Sequence, residues 1–227
     1  MMGGATSASH ETASVSHDAA SAFRLELTGA VLAGGHSSRF GSNKALFALD
    51  GETLIGKAAD LLRPLVRELL VSASHANAAA YTFLELDIVE DQHPDCGPLG
   101  GLEALLDHCT TPWLIILTCD MPYVNSDSLR TMIHHAQQSD DSFKQGSLPR
   151  AIAWQRSDGS VSPFLMLIER SALPVLRSRM NSGCRSMKGL LGVLDTYYII
   201  APSDRLLSNI NRPEDWKEDK TYLQKTI

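Results

Sequence analysis

The chain has 227 residues, 44% of them hydrophobic, and a formal net charge of −6 at pH 7. That is enough chain for one sizeable α/β domain with a proper core, and a negative balance excludes the broad cationic footprint expected of nucleic-acid or anionic-membrane binders. Any phosphate binding must therefore be local. No run approaches the roughly 18–20 apolar residues that a membrane span requires. The four cysteines, Cys96, Cys109, Cys119 and Cys184, show no C-x-x-C spacing. They fit a reducing cytoplasm better than a disulfide framework or structural zinc.

Residues 1–22 are rich in Ala, Ser, Gly, Thr and His. With neither a basic start nor an apolar centre they do not read as a secretory signal, and their composition predicts a disordered N-terminal tail. Residues 23–227 are expected to form a single domain, its nucleotide-binding part over about 29–138 and an acceptor-side part over about 149–227.

The first element is a short apolar run, Ala30-Val31-Leu32-Ala33, which stops at Gly34-Gly35. It is too short for a helix and reads as a buried parallel strand. The loop behind it carries Ser37, Ser38, Arg39 and Gly41 and ends at Lys44. Adjacent glycines let a ligand approach the main chain closely, and backbone N–H groups flanked by two cations suit a polyphosphate. Taken alone, a glycine-rich turn with two solvated cations accounts for the stretch as well. A Walker motif is absent, because Ser42-Asn43 separate Gly41 from Lys44. The G-x-G-x-x-G spacing of the dinucleotide fingerprint is absent too.

Next, Phe47-Ala48-Leu49 with Asp50-Gly51 predicts a short extended piece and a turn. Thr53 caps a helix whose apolar face is Leu54, Ile55, Ala58, Leu61 and Leu62. A strand follows from Glu68 to Ser72, then a short weak helix over residues 76–80, then a strand from Asp87 to Glu90 that ends at Asp91. The helix expected over residues 99–109 carries Gly100 and Gly101 in its first turn. Residues 112–118 form the most apolar run and predict a central strand buried on both faces. It ends in Cys119-Asp120-Met121-Pro122. A well-capped helix over residues 126–138 and a polar loop over residues 139–147 come next. Two strands, residues 150–154 and 161–168, then read as a hairpin-like pair about the turn at Ser157 to Ser160. Helices over residues 171–180 and 186–194, a last strand over residues 196–201, and a closing helix capped by Asn211 complete the series.

Strand and helix alternate through residue 138. This predicts an α/β fold with a doubly wound, mostly parallel, Rossmann-like sheet flanked by helices. In such a sheet the loop ending at Lys44, Asp91 and Asp120 all follow strands and so share the carboxyl edge, where open α/β sheets bind ligands. A phosphate loop and two carboxylates on one edge suit a nucleotide with a divalent cation. Mg²⁺ takes few protein carboxylates and fills its shell with water and phosphate oxygens, so Asp120 is the candidate metal ligand. By itself Asp120 reads more readily as a helix cap or turn residue.

Several of these stretches together resemble the molybdenum cofactor guanylyltransferases. The family pattern Leu-Ala-Gly-Gly, Ser-x-Arg-Met-Gly and Asp-Lys stands here as Leu32-Ala33-Gly34-Gly35, Ser37-Ser38-Arg39-Phe40-Gly41 and Asn43-Lys44. Phe40 replaces Met and Asn43 replaces Asp. Thr118-Cys119-Asp120-Met121-Pro122 resembles the motif carrying the metal-binding aspartate, and Glu90-Asp91 the Glu-Asp whose aspartate contacts the nucleotide. Gly97-Pro98-Leu99-Gly100-Gly101, Ser162-Pro163 and Asn211-x-Pro213-Glu214 resemble three further family segments, in the right order. At Ser72-Ala73-Ser74 the family often has Asn-x-Asn.

The resemblance implies a nucleotidyltransferase fold and the transfer of GMP from GTP to the terminal phosphate of molybdopterin, with release of pyrophosphate and with Mg²⁺ as cofactor. It implies Arg39, Lys44 and Asp120 as catalytic residues. It further implies nucleotide contacts from Leu32, Ala33, Gly34, Gly35, Lys44, Ser72, Asp91, Gly97 and Asp120, metal binding by Asp120, and acceptor-side roles for Gly100, Gly101, Pro163 and Asn211. Leu-Ala-Gly-Gly goes with guanine in this resemblance, and Gly34 leaves room for a purine. A molybdopterin cytidylyltransferase using CTP, or a non-catalytic nucleotide-sensing module of the same fold, are the alternatives. A cytoplasmic monomer that meets cofactor-insertion and molybdoenzyme partners transiently, with no nucleic acid and no membrane, is the expected setting. His36, His93, His134 and His135 are expected on the surface, with no part in the reaction.

Overall fold

A computed structural model describes residues 26–33, 43–142 and 149–212, with Asp215. The tail, the loop holding Gly34, Gly35, Arg39 and His36, and the closing helix expected beyond Asn211 lie outside the described residues.

In chain order the elements are β1 (Leu27–Leu32), β2 (Ala48–Leu49), β3 (Glu52–Thr53), α1 (Leu54–Leu62), β4 (Glu68–Ala73), α2 (His75–Ala78), β5 (Asp87–Glu90), α3 (Pro98–His108) and β6 (Trp113–Thr118). They continue with α4 (Ser126–Ser142), β7 (Ala151–Gln155), β8 (Val161–Glu169), α5 (Leu173–Asn181), α6 (Met187–Leu191) and β9 (Thr196–Ile200). Seven strands form one sheet in the order β5-β4-β1-β6-β8-β7-β9, which puts β6 at its centre as its apolar run predicts. β1 pairs in parallel with β4 and β6, β4 with β5, and β7 with β9, while β8 runs antiparallel to both β6 and β7. The sheet is therefore mostly parallel, with one reversed strand, as expected.

The two-residue side-chain period of a strand divides the core. Leu27, Val31, Ile115 and Leu117 face one layer with Ile55, Ala58 and Leu62 of α1 and Leu129 and Met132 of α4. Ala30, Leu32, Leu114 and Ile116 face the other with Leu99, Leu102, Leu105 and Leu106 of α3, Leu176 and Met180 of α5, and Leu190 of α6. Helices cover both faces of the central strands, which is why those strands are apolar throughout rather than alternating. On the second layer Arg177 of α5 bonds the largely buried Glu103 and the exposed Asp107 of α3 at 2.6 and 2.8 Å.

Local signals set most of the element ends. Thr53 Oγ1 accepts from the Gly56 N–H at 3.1 Å and opens α1. Ser186 does the same for α6 through Gly189 at 3.1 Å. Pro98 occupies the first turn of α3, where its missing N–H costs nothing. The expected polar loop over residues 139–147 is corrected in part. α4 runs on to Ser142, because each residue added to a formed helix gains one bond without repeating the cost of nucleation. Conversely, the helix expected over residues 76–80 is a single α-turn that passes into 3-10 turns over Ala79–Leu84.

Candidate functional site

Each parallel strand delivers its last residues to one edge, and the candidate residues gather there. Main-chain bonds join the strand ends. The Ala33 N–H donates to Ser72 O at 3.0 Å, Asp91 N–H to Ala73 O at 2.9 Å, and Cys119 N–H to Leu32 O at 3.4 Å. Leu32 and Ala33 thus sit between the ends of β4 and β6.

Lys44 begins a single 3-10 turn, Lys44–Leu46, capped by Asn43, whose Oδ1 accepts from the Ala45 N–H at 3.2 Å. From that turn the Lys44 ammonium reaches Oδ2 of Asp120 at 2.9 Å and Oδ1 of Asn211 at 3.3 Å. The lysine and aspartate side chains are 14% and 20% exposed, so the pair lies largely out of solvent. Asn211 is drawn in by the main chain, since the Ile210 N–H donates to Asp120 O at 2.9 Å. The Asp215 carboxylate accepts from the N–H groups of Asn211 and Arg212 at 2.8 and 2.9 Å; the closing helix that Asn211 is expected to cap lies outside the described residues. Lys44, Asp120 and Asn211, far apart in sequence, form one cluster.

The second Asp120 oxygen, Oδ1, is buried with no hydrogen-bond partner among the described residues, and so is Thr118 Oγ1 at the end of β6. A desolvated, unpartnered carboxylate oxygen is unfavourable unless something binds it. It is a hard oxygen of the type Mg²⁺ selects. No group of three or more His, Cys, Asp and Glu that could hold a metal exists among the described residues. The residues present therefore fit a cation that takes one protein carboxylate and completes its shell with water and phosphate oxygens.

Beside Asp120, Cys119 is partly buried at the end of β6. Burial and the neighbouring Asp120 carboxylate push its thiol up to about 12, against a smaller opposing pull from Lys44. It is a thiol, not a thiolate nucleophile, at any working pH.

Asp91 follows β5, and its Oδ1 accepts from the His93 N–H at 2.7 Å. The first turn of α3 packs directly onto it. A Cβ at Gly100 would fall 2.4 Å from Asp91 Oδ1 and from the His93 carbonyl oxygen. A Cβ at Gly101 would fall 2.6 Å from Ser72 Oγ and 3.0 Å from Leu32 Cδ2. Ser72 is 1% exposed, and its hydroxyl has no partner among the described residues. The two glycines, expected on the acceptor side, thus pack against Asp91, Ser72 and Leu32, which are expected on the nucleotide side. Gly97, the residue before α3, has φ +59° and ψ −143°, a region essentially closed to side-chain-bearing residues, and faces open space among the described residues. Pro163 is buried in β8 beyond the rung Leu117↔Leu165, at a pairing irregularity, and so lies on this same edge. His93 and His134 are exposed, and His135 packs its ring 5.2 Å from that of Tyr197.

One contact at this edge was not apparent in the sequence. The Tyr81 hydroxyl, within an alanine-rich stretch of weak helical character, bonds Asn43 and stands beside the Ala33 carbonyl. The only local signal was a large aromatic directly after a run of alanines.

Residues 29–197 match the family of MobA-like NTP transferase domains. A probable molybdenum cofactor guanylyltransferase of Chloroflexus aggregans is 30% identical over 212 residues, covering 89% of this chain and 97% of its own. A molybdenum cofactor guanylyltransferase of Pseudomonas putida is 33% identical over 187 residues, covering 81% and 92%. Among solved structures, molybdopterin-guanine dinucleotide biosynthesis protein A of Archaeoglobus fulgidus shares the fold with a TM-score of 0.69 at 22% identity, covering 87% of this chain and 99% of that one.

Proposed function

This chain belongs to the MobA-like NTP transferase family, and we propose that it transfers GMP from GTP to the terminal phosphate of molybdopterin, releasing pyrophosphate. The observation that carries the reading is the meeting of Lys44, Asp120 and Asn211 at the carboxyl edge of the sheet, the edge on which Asp91 also lies. The named relatives, guanylyltransferases matched over most of their length, support the choice of substrates.

In the proposed reaction an oxygen of the acceptor phosphate forms a bond to the α-phosphorus of GTP. The bond from that phosphorus to the bridging oxygen breaks, and its electrons leave with pyrophosphate. Two anions must be brought together, so the work is positioning and charge neutralisation. The Lys44 ammonium would turn from Asp120 to the phosphate oxygens of the leaving group, with Arg39 beside it by resemblance. Asp120 would hold Mg²⁺, which supplies positive charge to the phosphate oxygens. The Asp91 carboxylate, held against Gly100, and the open backbone at Gly97 would meet the nucleoside side. No general base is required, because the acceptor phosphate is already ionised at neutral pH.

No helix among the described residues is long and apolar enough to cross a membrane. Four free thiols support a reducing, cytoplasmic setting. The deciding experiment measures pyrophosphate release with molybdopterin, Mg²⁺ and GTP, with CTP and ATP as competitors. Release that depends on both GTP and molybdopterin is expected. Preference for CTP would make the chain a cytidylyltransferase, and nucleotide binding without release would make it a sensing module.

A further inference from the structure

Tyr81 is fully buried, at 0% exposure, within the 3-10 turns that follow α2. Its hydroxyl donates to Asn43 Oδ1 at 3.0 Å and lies 3.3 Å from the Ala33 carbonyl oxygen. Ala33 follows β1 directly before Gly34-Gly35, and Asn43 stands immediately before Lys44. One buried hydroxyl therefore touches both ends of the segment that the sequence marks as the phosphate loop.

We propose that Tyr81 is a positioning residue of the nucleotide site, acting through Asn43 to hold Lys44 in place relative to Ala33 and Asp120. The proposal rests on the nucleotide reading above for what Lys44 meets.

Asn43 is held by three neighbours. Its Oδ1 accepts from Tyr81 and from the Ala45 N–H, and its Nδ2 donates to Asn77 Oδ1 at 3.3 Å. These contacts orient the amide with its oxygen toward the lysine's own turn and its NH₂ toward α2. An aspartate here, as the family pattern has, would offer no proton to Asn77, whose amide would have to turn round to serve it. Asn43 and Asn77 are thus a matched pair, and Tyr81 locks the same oxygen that caps the Lys44 turn. Tyr81 also remains a donor at working pH. Burial holds its phenol above the ordinary range, against the opposing pull of the Asn43 bond and with a lesser rise from Cys119. The Ala33 end is fixed in turn by its bond to Ser72, and the Lys44 end by its bond to Asp120. An anchored lysine binds phosphate without first losing the freedom of its turn, so the anchor should be felt in nucleotide affinity more than in turnover.

Tyr81→Phe keeps the ring and removes the hydroxyl. KM for GTP is expected to rise about three- to tenfold, the worth of one shared buried hydrogen bond, with kcat falling less than KM rises. The decisive arm is the Lys44→Ala background. There Tyr81→Phe is expected to add almost nothing to KM, because the residue it positions is gone. A role in stability alone would instead lower the melting temperature and leave KM unmoved, or would multiply the Lys44→Ala defect in full. Either result overturns the proposal. If Tyr81→Phe does not fold, Asn77→Ala decides, with a smaller rise in KM expected and an unchanged KM overturning it. Should Lys44→Ala itself leave GTP binding untouched, the nucleotide reading fails and takes this one with it. If Lys44→Ala weakens GTP and Tyr81→Phe does not, only the role of Tyr81 is refuted.

Discussion

The ammonium of Lys44 stands 2.9 Å from Oδ2 of Asp120, 76 positions away in sequence. Each partner has a second use in the proposed reaction, the lysine for phosphate oxygens and the aspartate for a cation. Without nucleotide they neutralise each other, which relieves the cost of two poorly hydrated charges at the sheet edge.

Lys44→Ala removes one charge-assisted contact to phosphate. GTP binding should weaken by about 1.5–3 kcal/mol, or roughly ten- to a hundredfold in Kd. Titration of a fluorescent GTP analogue measures it, with a thermal melt as the control for folding. An unchanged Kd in a folded variant removes Lys44 from the site.

Asp120→Asn keeps the shape of the side chain and removes its charge. Turnover should fall by about two orders of magnitude, as on losing one stabiliser of transition-state charge. Mn²⁺ binding in the presence of GTP, followed by its paramagnetic signal, should weaken in parallel. Lys44→Ala should have the opposite effect on Mn²⁺ without nucleotide, since the ammonium no longer competes for Asp120 Oδ2. Wild-type turnover in Asp120→Asn would exclude it as the metal ligand.

The glycine pair in α3 makes a test of packing. Gly100→Ala drives a methyl against the Asp91 carboxylate and a backbone carbonyl that cannot move aside cheaply. It should cost about 1–3 kcal/mol in chemical denaturation and weaken GTP binding with it. Gly101→Ala meets a serine hydroxyl instead, so Ser72→Ala in the same chain should restore much of the stability. Equal losses for Gly100→Ala with and without Asp91→Ala would show that the carboxylate is not what the methyl strikes.

Cys119 gives a pH dependence of known sign. Its folded pKa, about 12, exceeds the ordinary value of 9.0, so folding favours the protonated thiol. That contribution is complete below pH 9 and is lost as pH rises from 9 towards 12, where the unfolded chain gains by ionising. Urea unfolding from pH 7 to 11 should show wild-type stability falling above pH 9 more steeply than that of Cys119→Ala. Parallel curves would mean that the thiol is not shielded as described.

How the sequence and the fold divide the account is clearest at particular residues. Hydrophobic period and run length sufficed for β1, β4, β5, β6 and the apolar face of α1, because burial of a face is written locally in the spacing of side chains. Alternation of strand and helix then implied parallel strands, and parallel strands send Lys44, Asp91 and Asp120 to one edge whatever their partners are. The sequence by itself therefore determined the fold class and where the chemistry would lie. It did not determine who touches whom. That Asn211 would reach Lys44 across 167 positions, that Gly100 and Gly101 would receive Asp91 and Ser72, and that Tyr81 would meet both Ala33 and Asn43 left no trace in any local period. Such contacts are chosen by packing among distant segments, where a displacement of one or two ångströms exchanges one partner for another. Only the assembled tertiary structure specifies distances that small.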